Sequence, residues 1–353
     1  MTPVVNAADR AGITRALDEG RRWADADLRG LSVAIVYGPV SAEDQLYLSK
    51  CPPGQLSVNA LSGALDELGV RSQVLDPCRG GFIRDLTRFD VALSNLHGPF
   101  GEDGRLQGLL DYLRMPYCGS GVAASAIAAD KVLCKRLMES AGVPTPRWRV
   151  WPEAEPVLPS GEVMVKPRMG GSSVGMSLAR DQAALDAAAT QAQDSAGDPP
   201  GVLVEEYVPG VPVTVGMLEL PGAVLVFPPL ATYVRSGEFY DADVKLDANA
   251  EGAVTCERAD LPRPVLDALT ANSLRLWHAL GCRGMARVDF IATDDGGVLA
   301  LEVNTTPGLS YESNFVTAAG LCGLRHADVV VAILHEALAR RRYDAPLPRP
   351  EIS

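Results

Sequence analysis

Two strand-like runs, MARVDFIAT and VLALEVN, flank Asp294-Asp295-Gly296-Gly297, and together they spell an antiparallel hairpin. Such a segment constrains a fold tightly, because the turn sets the register and the register sets which side chains face each other. Centring the turn on Asp295 and Gly296 places Asp289 opposite Glu302 and Arg287 opposite Asn304. Residues two apart share one face of a strand, so all four lie on one side of the sheet. Two facing carboxylates repel and destabilise their pairing. A hard cation between them removes that cost, and the oxygens of Asp289, Glu302 and Asn304 suit Mg2+ or Mn2+ rather than zinc. The competing reading is a solvated polar face.

Elsewhere the chain alternates between strand and helix character. LSVAIVYG (31–38) reads as a buried strand, VNALSGALDELG (58–69) as a helix ending at a glycine, and FDVALSNLHG (89–98) as another strand. That alternation predicts a parallel α/β layer. A long helical stretch, ASAIAADKVLCKRLMESAG, runs into G-V-P-T-P, which stops helices and marks a domain joint. From residue 162 come strand, glycine-rich loop, helix and strand, then the helix LPRPVLDALTANSLRLWHALG and an amphipathic terminal helix, ADVVVAILHEALARRRYD. The expected class is α/β, turning to α+β in the C-terminal lobes. The expected units are a helical leader (1–30) packed on the outside, an N-terminal α/β domain (31–125), a central lobe (126–230) and a C-terminal lobe (231–345).

The 353 residues, 47% hydrophobic and 22% charged, supply cores for two or three such domains. A net charge of −12 argues against a nucleic-acid surface but leaves room for a small anion at a local positive patch. Apolar runs fall short of the roughly 18 residues that a membrane span needs. The N-terminus, MTPVVNAADRAG, lacks the basic-then-apolar layout of a signal peptide. Seven cysteines stand singly with no C-x-x-C pair, which reads as free thiols in a reducing cytoplasm.

Two further constellations carry chemistry. In EVMVKPRMGGSSVGMS (162–177) a strand ends at Lys166 and enters a loop of Gly170, Gly171, Ser172, Ser173 and Gly175. Consecutive small residues let backbone N–H groups converge on phosphate oxygens, with Lys166 supplying charge nearby. No G-K-[ST] follows, so this is not a P-loop, and a plain connection is the competing reading. NLHGPFGEDGRLQG (95–108) opens from a strand into glycines with His97, Glu102 and Asp103, which a tight turn with solvated acids also explains. No serine nucleophile elbow occurs, and Tyr37-Gly38-Pro39 breaks any dinucleotide fingerprint after the first strand. His278 and His335 fall inside helical patterns.

HGPFGEDGRLQG, PYCGSGVAASAIAADKVLCK, KPRMGGSSVG, RVDF and LEVNTTPG occur in the order and spacing of D-alanine–D-alanine ligases. The chain resembles that family, of the three-lobed ATP-grasp fold, from residue 31 to residue 340, with the leader outside the resemblance. The resemblance implies an enzyme that uses ATP and Mg2+ to activate one amino acid as an acyl phosphate, which a second amino acid's amine attacks. It implies Asp289, Glu302 and Asn304 as metal ligands, and Lys131, Lys166 and Ser173 at the ATP phosphates. Glu205, Glu206 and Val208 fall where adenine is read, and Lys245 on a loop that closes over the site. Glu43 matches the acid that holds the first substrate's ammonium, with Ser172 and His97 beside that pocket. Arg287 and the Gly308 N–H match the oxyanion site, and Ser313 the contact to the second substrate's carboxylate. By the same analogy the protein is a homodimer.

Departures gather on the amino-acid side. Leu246 stands where an aromatic or polar residue usually ties Ser172 to Glu43, and Asn314 replaces an apolar neighbour of Ser313. Glu312 adds a carboxylate, and Pro212 replaces an acid near the ribose. These departures predict a dipeptide-type ligase of specialised metabolism, with D-alanine plus D-alanine not the preferred pair. The alternatives are a housekeeping D-alanine–D-alanine ligase of cell-wall synthesis and a nucleotide-binding pseudoenzyme, which would have no need of Arg287.

Overall fold

The structure is a computed structural model that describes residues 3–40, 51–52, 56–152, 161–171, 174–195, 197, 199–234 and 254–344. Strand β1 (Val4–Asn6) and helix α1 (Arg10–Asp27) precede β2 (Ser32–Val36), α2 (Ser57–Glu67), β3 (Arg71–Leu75), α3 (Phe82–Leu86), β4 (Val91–Ser94) and α4 (Arg105–Tyr112). Next come α5 (Val122–Ala129), α6 (Lys131–Ser140), β5 (Trp148–Trp151), β6 (Val163–Pro167), β7 (Ser177–Ala179), α7 (Gln182–Asp194) and β8 (Val202–Glu206). The remainder is β9 (Val211–Leu220), β10 (Ala223–Val226), β11 (Leu230–Val234), β12 (Val254–Arg258), α8 (Arg263–Leu280), β13 (Met285–Ala292), β14 (Val298–Asn304), α9 (Asn314–Leu321) and α10 (His326–Ala339).

These strands build three sheets. The parallel layer is β3-β2-β4, whose Val33, Ile35, Val91 and Leu93 are fully buried, as strands covered on both faces require. A four-stranded antiparallel sheet runs β5-β8-β6-β7 and carries Lys166 and Glu205. The seven-stranded sheet centres on β9, which pairs with β10, β11 and β13, and β13 pairs in turn with β14.

The hairpin has the expected pairing where it matters, by a different route. Asp289 pairs with Glu302 and Arg287 with Asn304, but Phe290 pairs with Ala300, leaving Leu301 as a bulge. Nearer the turn the register is one residue off the expected one, with the Thr293 N–H donating to the Gly297 carbonyl. The bulge cancels that offset. It also inverts the alternation of β14: Val298 and Ala300 are buried before it and Val303 after it. Glu302 and Asn304 are thereby kept off the core face.

The long helical stretch is two helices rather than one. Asp130, with extended backbone (ψ 103°), interrupts it. Its carboxylate accepts from the N–H groups of Val132 (3.0 Å) and Leu133 (3.2 Å) and from the Arg168 guanidinium. A side chain that satisfies the first free N–H groups starts a new helix.

The terminal helix α10 departs from its amphipathic reading. Ten of its 14 residues are buried, so no face of it is solvated like the polar side of a surface helix. Its cover includes the leader, whose Ile13, Ala16, Gly20 and Ala24 form one buried stripe on α1. Gly20 faces the Val331 side chain of α10, and a Cβ there would lie 3.6 Å from it, an ordinary packing distance. Arg21 of α1 donates both Nε and Nη2 to the buried Asp328 carboxylate at 3.0 Å. β1 extends the large sheet by pairing in parallel with β10.

Candidate active site

On β13, Val288 and Phe290 face the core while Arg287 and Asp289 face the other way. Arg287 Nε and Nη2 donate to the two Asp289 oxygens, each at 2.8 Å. Burial opposes the Arg287 charge, but Asp289, Glu302 and Glu102 outweigh it and raise its pKa. Across the ladder, Asn304 Oδ1 accepts from the Thr306 N–H at 2.9 Å, which starts the loop toward Gly308. Among the described residues no three His, Cys, Asp or Glu side chains gather into a metal cage. Asp289, Glu302 and Asn304 present two carboxylates and one amide oxygen instead. That set fits Mg2+, which takes few protein ligands and fills the rest of its shell with phosphate and water.

Beside this face lies a group of lysines. Lys131, the first residue of α6, donates to the Gly170 carbonyl at 2.5 Å. Lys135, one helical turn on, is 1% exposed, and its Nζ meets Glu205 Oε2 at 2.8 Å and Thr145 Oγ1 at 2.6 Å. Lys166 Nζ pairs with the other Glu205 oxygen. Burial pushes the Glu205 carboxyl upward, yet the two ammonium groups overcome it and hold its pKa at about 2. Burial lowers the Lys131 pKa, with Glu302 and Glu205 pulling the other way. Two lysines on one carboxylate leave an uncompensated positive charge below the glycine-rich loop, which suits a phosphate chain. Gly175 in that loop has φ +69°, and a Cβ there would come within 2.9 Å of Pro167.

Other candidates are more dispersed. β8 alternates, so Glu205 points inward while Glu206 pairs with Arg147 at 3.0 Å on the outside. Val208 is half-buried just after β8, and Pro212 stands in β9 opposite Ile291. His97 Nδ1 lies 3.4 Å from Glu102, whose other oxygen accepts from the Gly98 N–H at 2.6 Å. Asp103 closes the same turn by accepting from the Phe100 N–H and the Arg105 side chain. Ser313 caps α9, and Asn314 is the first residue of that helix. Glu312 is exposed to solvent. Glu43, Ser172, Ser173, Lys245 and Leu246 lie outside the described residues.

Lys135 is the site residue that the sequence reading missed. Its signal was its spacing, four after Lys131 in a helical run, which puts both on one face. Asn95, fully buried at the end of β4 and bonded to Pro307, gave no comparable signal.

Known proteins resemble this chain over most of its length. A family model described as D-ala D-ala ligase N-terminus matches residues 56–120, and one described as D-ala D-ala ligase C-terminus matches 153–335. A D-alanine–D-alanine ligase from a Synechococcus strain is 35% identical over 322 residues, 88% of this chain and 94% of that protein. One from Pseudomonas entomophila is 36% identical over 336 residues, 93% of this chain and 100% of that protein. The solved D-alanine–D-alanine ligase of Bacillus anthracis matches with a TM-score of 0.74 at 26% identity, covering 88% of this chain and 98% of that one. A second structure of it, complexed with ATP, matches with a TM-score of 0.72 at 24% identity over the same shares of the two chains. With this agreement over most of its length, the chain belongs to the D-alanine–D-alanine ligase family.

Proposed function

We propose that this protein is an ATP-dependent ligase that activates one amino acid as an acyl phosphate and joins it to the amine of a second. The observation that carries this reading is the single polar face on which Arg287–Asp289 meets Glu302 and Asn304, beside the lysines around Glu205. Lys131 and Lys166 take the ATP phosphates, and Glu205 and Val208 lie on the adenine side of the nucleotide. Asp289, Glu302 and Asn304 would hold Mg2+ or Mn2+, which neutralises charge on the phosphate oxygens when bound. Arg287 and the Gly308 N–H face the reacting carbonyl, where negative charge grows in the transition state. Ser313, whose hydroxyl caps α9, meets the second substrate's carboxylate near a helix N-terminus, where anions are favoured. A homodimer in the cytoplasm and the four units inferred from the sequence belong to the same reading.

Glu312 favours D-alanyl-D-alanine as the product over a larger or cationic second substrate. It is exposed to solvent, so its carboxylate can be satisfied by water and sets no demand for a donor-bearing second substrate. The relatives' name points the same way. The deciding experiment is ADP release with ATP and Mg2+ across pairs of D- and L-amino acids. Amino-acid-dependent release is expected, and its absence for every pair would defeat the ligase reading.

A further inference from the structure

One buried amide joins the parallel layer to the loop that follows β14. Asn95, at the end of β4, is 0% exposed, and its Nδ2 donates to the Pro307 carbonyl at 3.1 Å. The reverse orientation of the amide would set oxygen against oxygen, so the bond itself decides which end is which.

The Pro307 carbonyl and the Gly308 N–H belong to the same peptide unit. That unit is planar, and in its trans form the two groups point in opposite directions. Fixing the carbonyl therefore aims the N–H. Gly308 is half-buried, and among the described residues its N–H has no hydrogen-bond partner. A bond accepted by the carbonyl also polarises the unit and strengthens its N–H as a donor. The loop is also tied one peptide unit further out on each side: Asn304 Oδ1 accepts from the Thr306 N–H at 2.9 Å, and His326 Nε2 lies 2.8 Å from the Leu309 carbonyl.

The other end of the Asn95 side chain speaks against a packing role. Its Oδ1 is buried and has no partner among the described residues, which is unfavourable. A leucine of similar size would fill the space without orphaning an acceptor. Only the Nδ2 bond to Pro307 recommends an amide at this position.

We propose that Asn95 is a positioning residue for the reaction: it aims the Gly308 N–H at the carbonyl under attack. This inference rests on the ligase reading and names the residue behind one of its two oxyanion groups. The parallel layer thus contributes to the chemistry on the large sheet without touching substrate.

The test uses Asn95→Leu and Asn95→Asp in the full chain, assayed with ATP, Mg2+ and D-alanine, together with glycine-selective 15N labelling of the ligand-free protein. In both variants kcat should fall about tenfold to a hundredfold, less than or equal to the loss of an oxyanion donor itself. KM for ATP and for D-alanine should stay within about twofold, since ground-state contacts are intact. The thermal midpoint of Asn95→Leu should hold or rise, and the Gly308 amide resonance should shift. A well-folded Asn95→Leu with unchanged kcat, or changed only in KM, overturns the proposal. So does an Asn95→Leu that is destabilised or fails to fold, which would make the amide structural. A Gly308 resonance that does not move overturns it whatever the activity. Wild-type protein without amino-acid-dependent ADP release defeats the ligase reading instead, and the resonance still decides whether Asn95 orients the peptide.

Discussion

Arg287 and Asp289 stand two residues apart on β13 and clasp each other through two bonds of 2.8 Å, one to each carboxylate oxygen. The side chain proposed to face the reacting carbonyl is thus held by the one proposed to face the metal. A cation held at Asp289 would share that carboxylate with Arg287, so the two proposed roles would be linked through it. Lysine at 287 keeps the charge but loses the planar fork. Arg287→Lys should lower kcat by about a hundredfold with a smaller change in KM. A variant altered only in KM would place Arg287 in ground-state binding.

Glu302→Gln removes one of two facing carboxylates without changing shape. Turnover should drop at least about a hundredfold, roughly 2.7 kcal/mol of transition-state stabilisation, while the fold persists. Near-normal turnover of the folded variant at ordinary Mg2+ would sink the assignment.

The buried Glu205 makes a prediction about acid. Its folded pKa of about 2 lies below its ordinary value of 4.5, so it binds protons more readily unfolded than folded. Its contribution to stability is complete above pH 4.5 and drains away as pH falls toward about 2. Glu205→Gln leaves Lys135 and Lys166 facing each other without their anion, which should cost about 3 kcal/mol at neutral pH. Urea titrations across the acid range should show the two proteins converging as pH falls. A gap that stays constant with pH would mean that Glu205 is not the titrating group.

The exposed Glu312 carboxylate can be satisfied by water, which predicts that it is dispensable for choosing the second substrate. Glu312→Gln should leave kcat/KM for D-alanine within about twofold, as surface changes generally do. A larger loss, or a switch toward other amino acids, would restore the reading of a changed pocket.

Deleting residues 1–30 uncovers the outer side of α10 and the edge of β10, and leaves Asp328 without Arg21. The thermal midpoint should fall by about 5 °C or more, with new binding of hydrophobic dye. A truncated protein as stable as the full chain would show that the leader only decorates the surface.

Much of this was legible beforehand because it rests on short-range rules. Short apolar runs gave the strands Ser32–Val36 and Val91–Ser94, and an Asp-Gly turn gave the hairpin. What escaped depends on distant partners. Asp130 splits a helix by capping the next one, and Arg168, far along the chain, holds the carboxylate in place. The amphipathic reading of α10 failed because a leader more than 300 residues upstream covers it (Arg21 to Asp328 is a separation of 307). Asn95 was unreadable for the same reason: its meaning lies in Pro307.

The bulge at Leu301 has a consequence for how the hairpin can change. In an ordinary strand, losing one residue turns every later side chain over, and here it would bury the carboxylates. Leu301 is the exception, since it is the residue left without a partner. Taking it out would join Ala300 directly to Glu302 with Val298, Ala300 and Val303 still facing inward and Glu302 and Asn304 still facing Arg287 and Asp289. The strand most exposed to ruin by a deletion thus carries one site where a deletion is harmless to its facing, so length variation in this hairpin can settle at position 301 while the reactive face stays in phase.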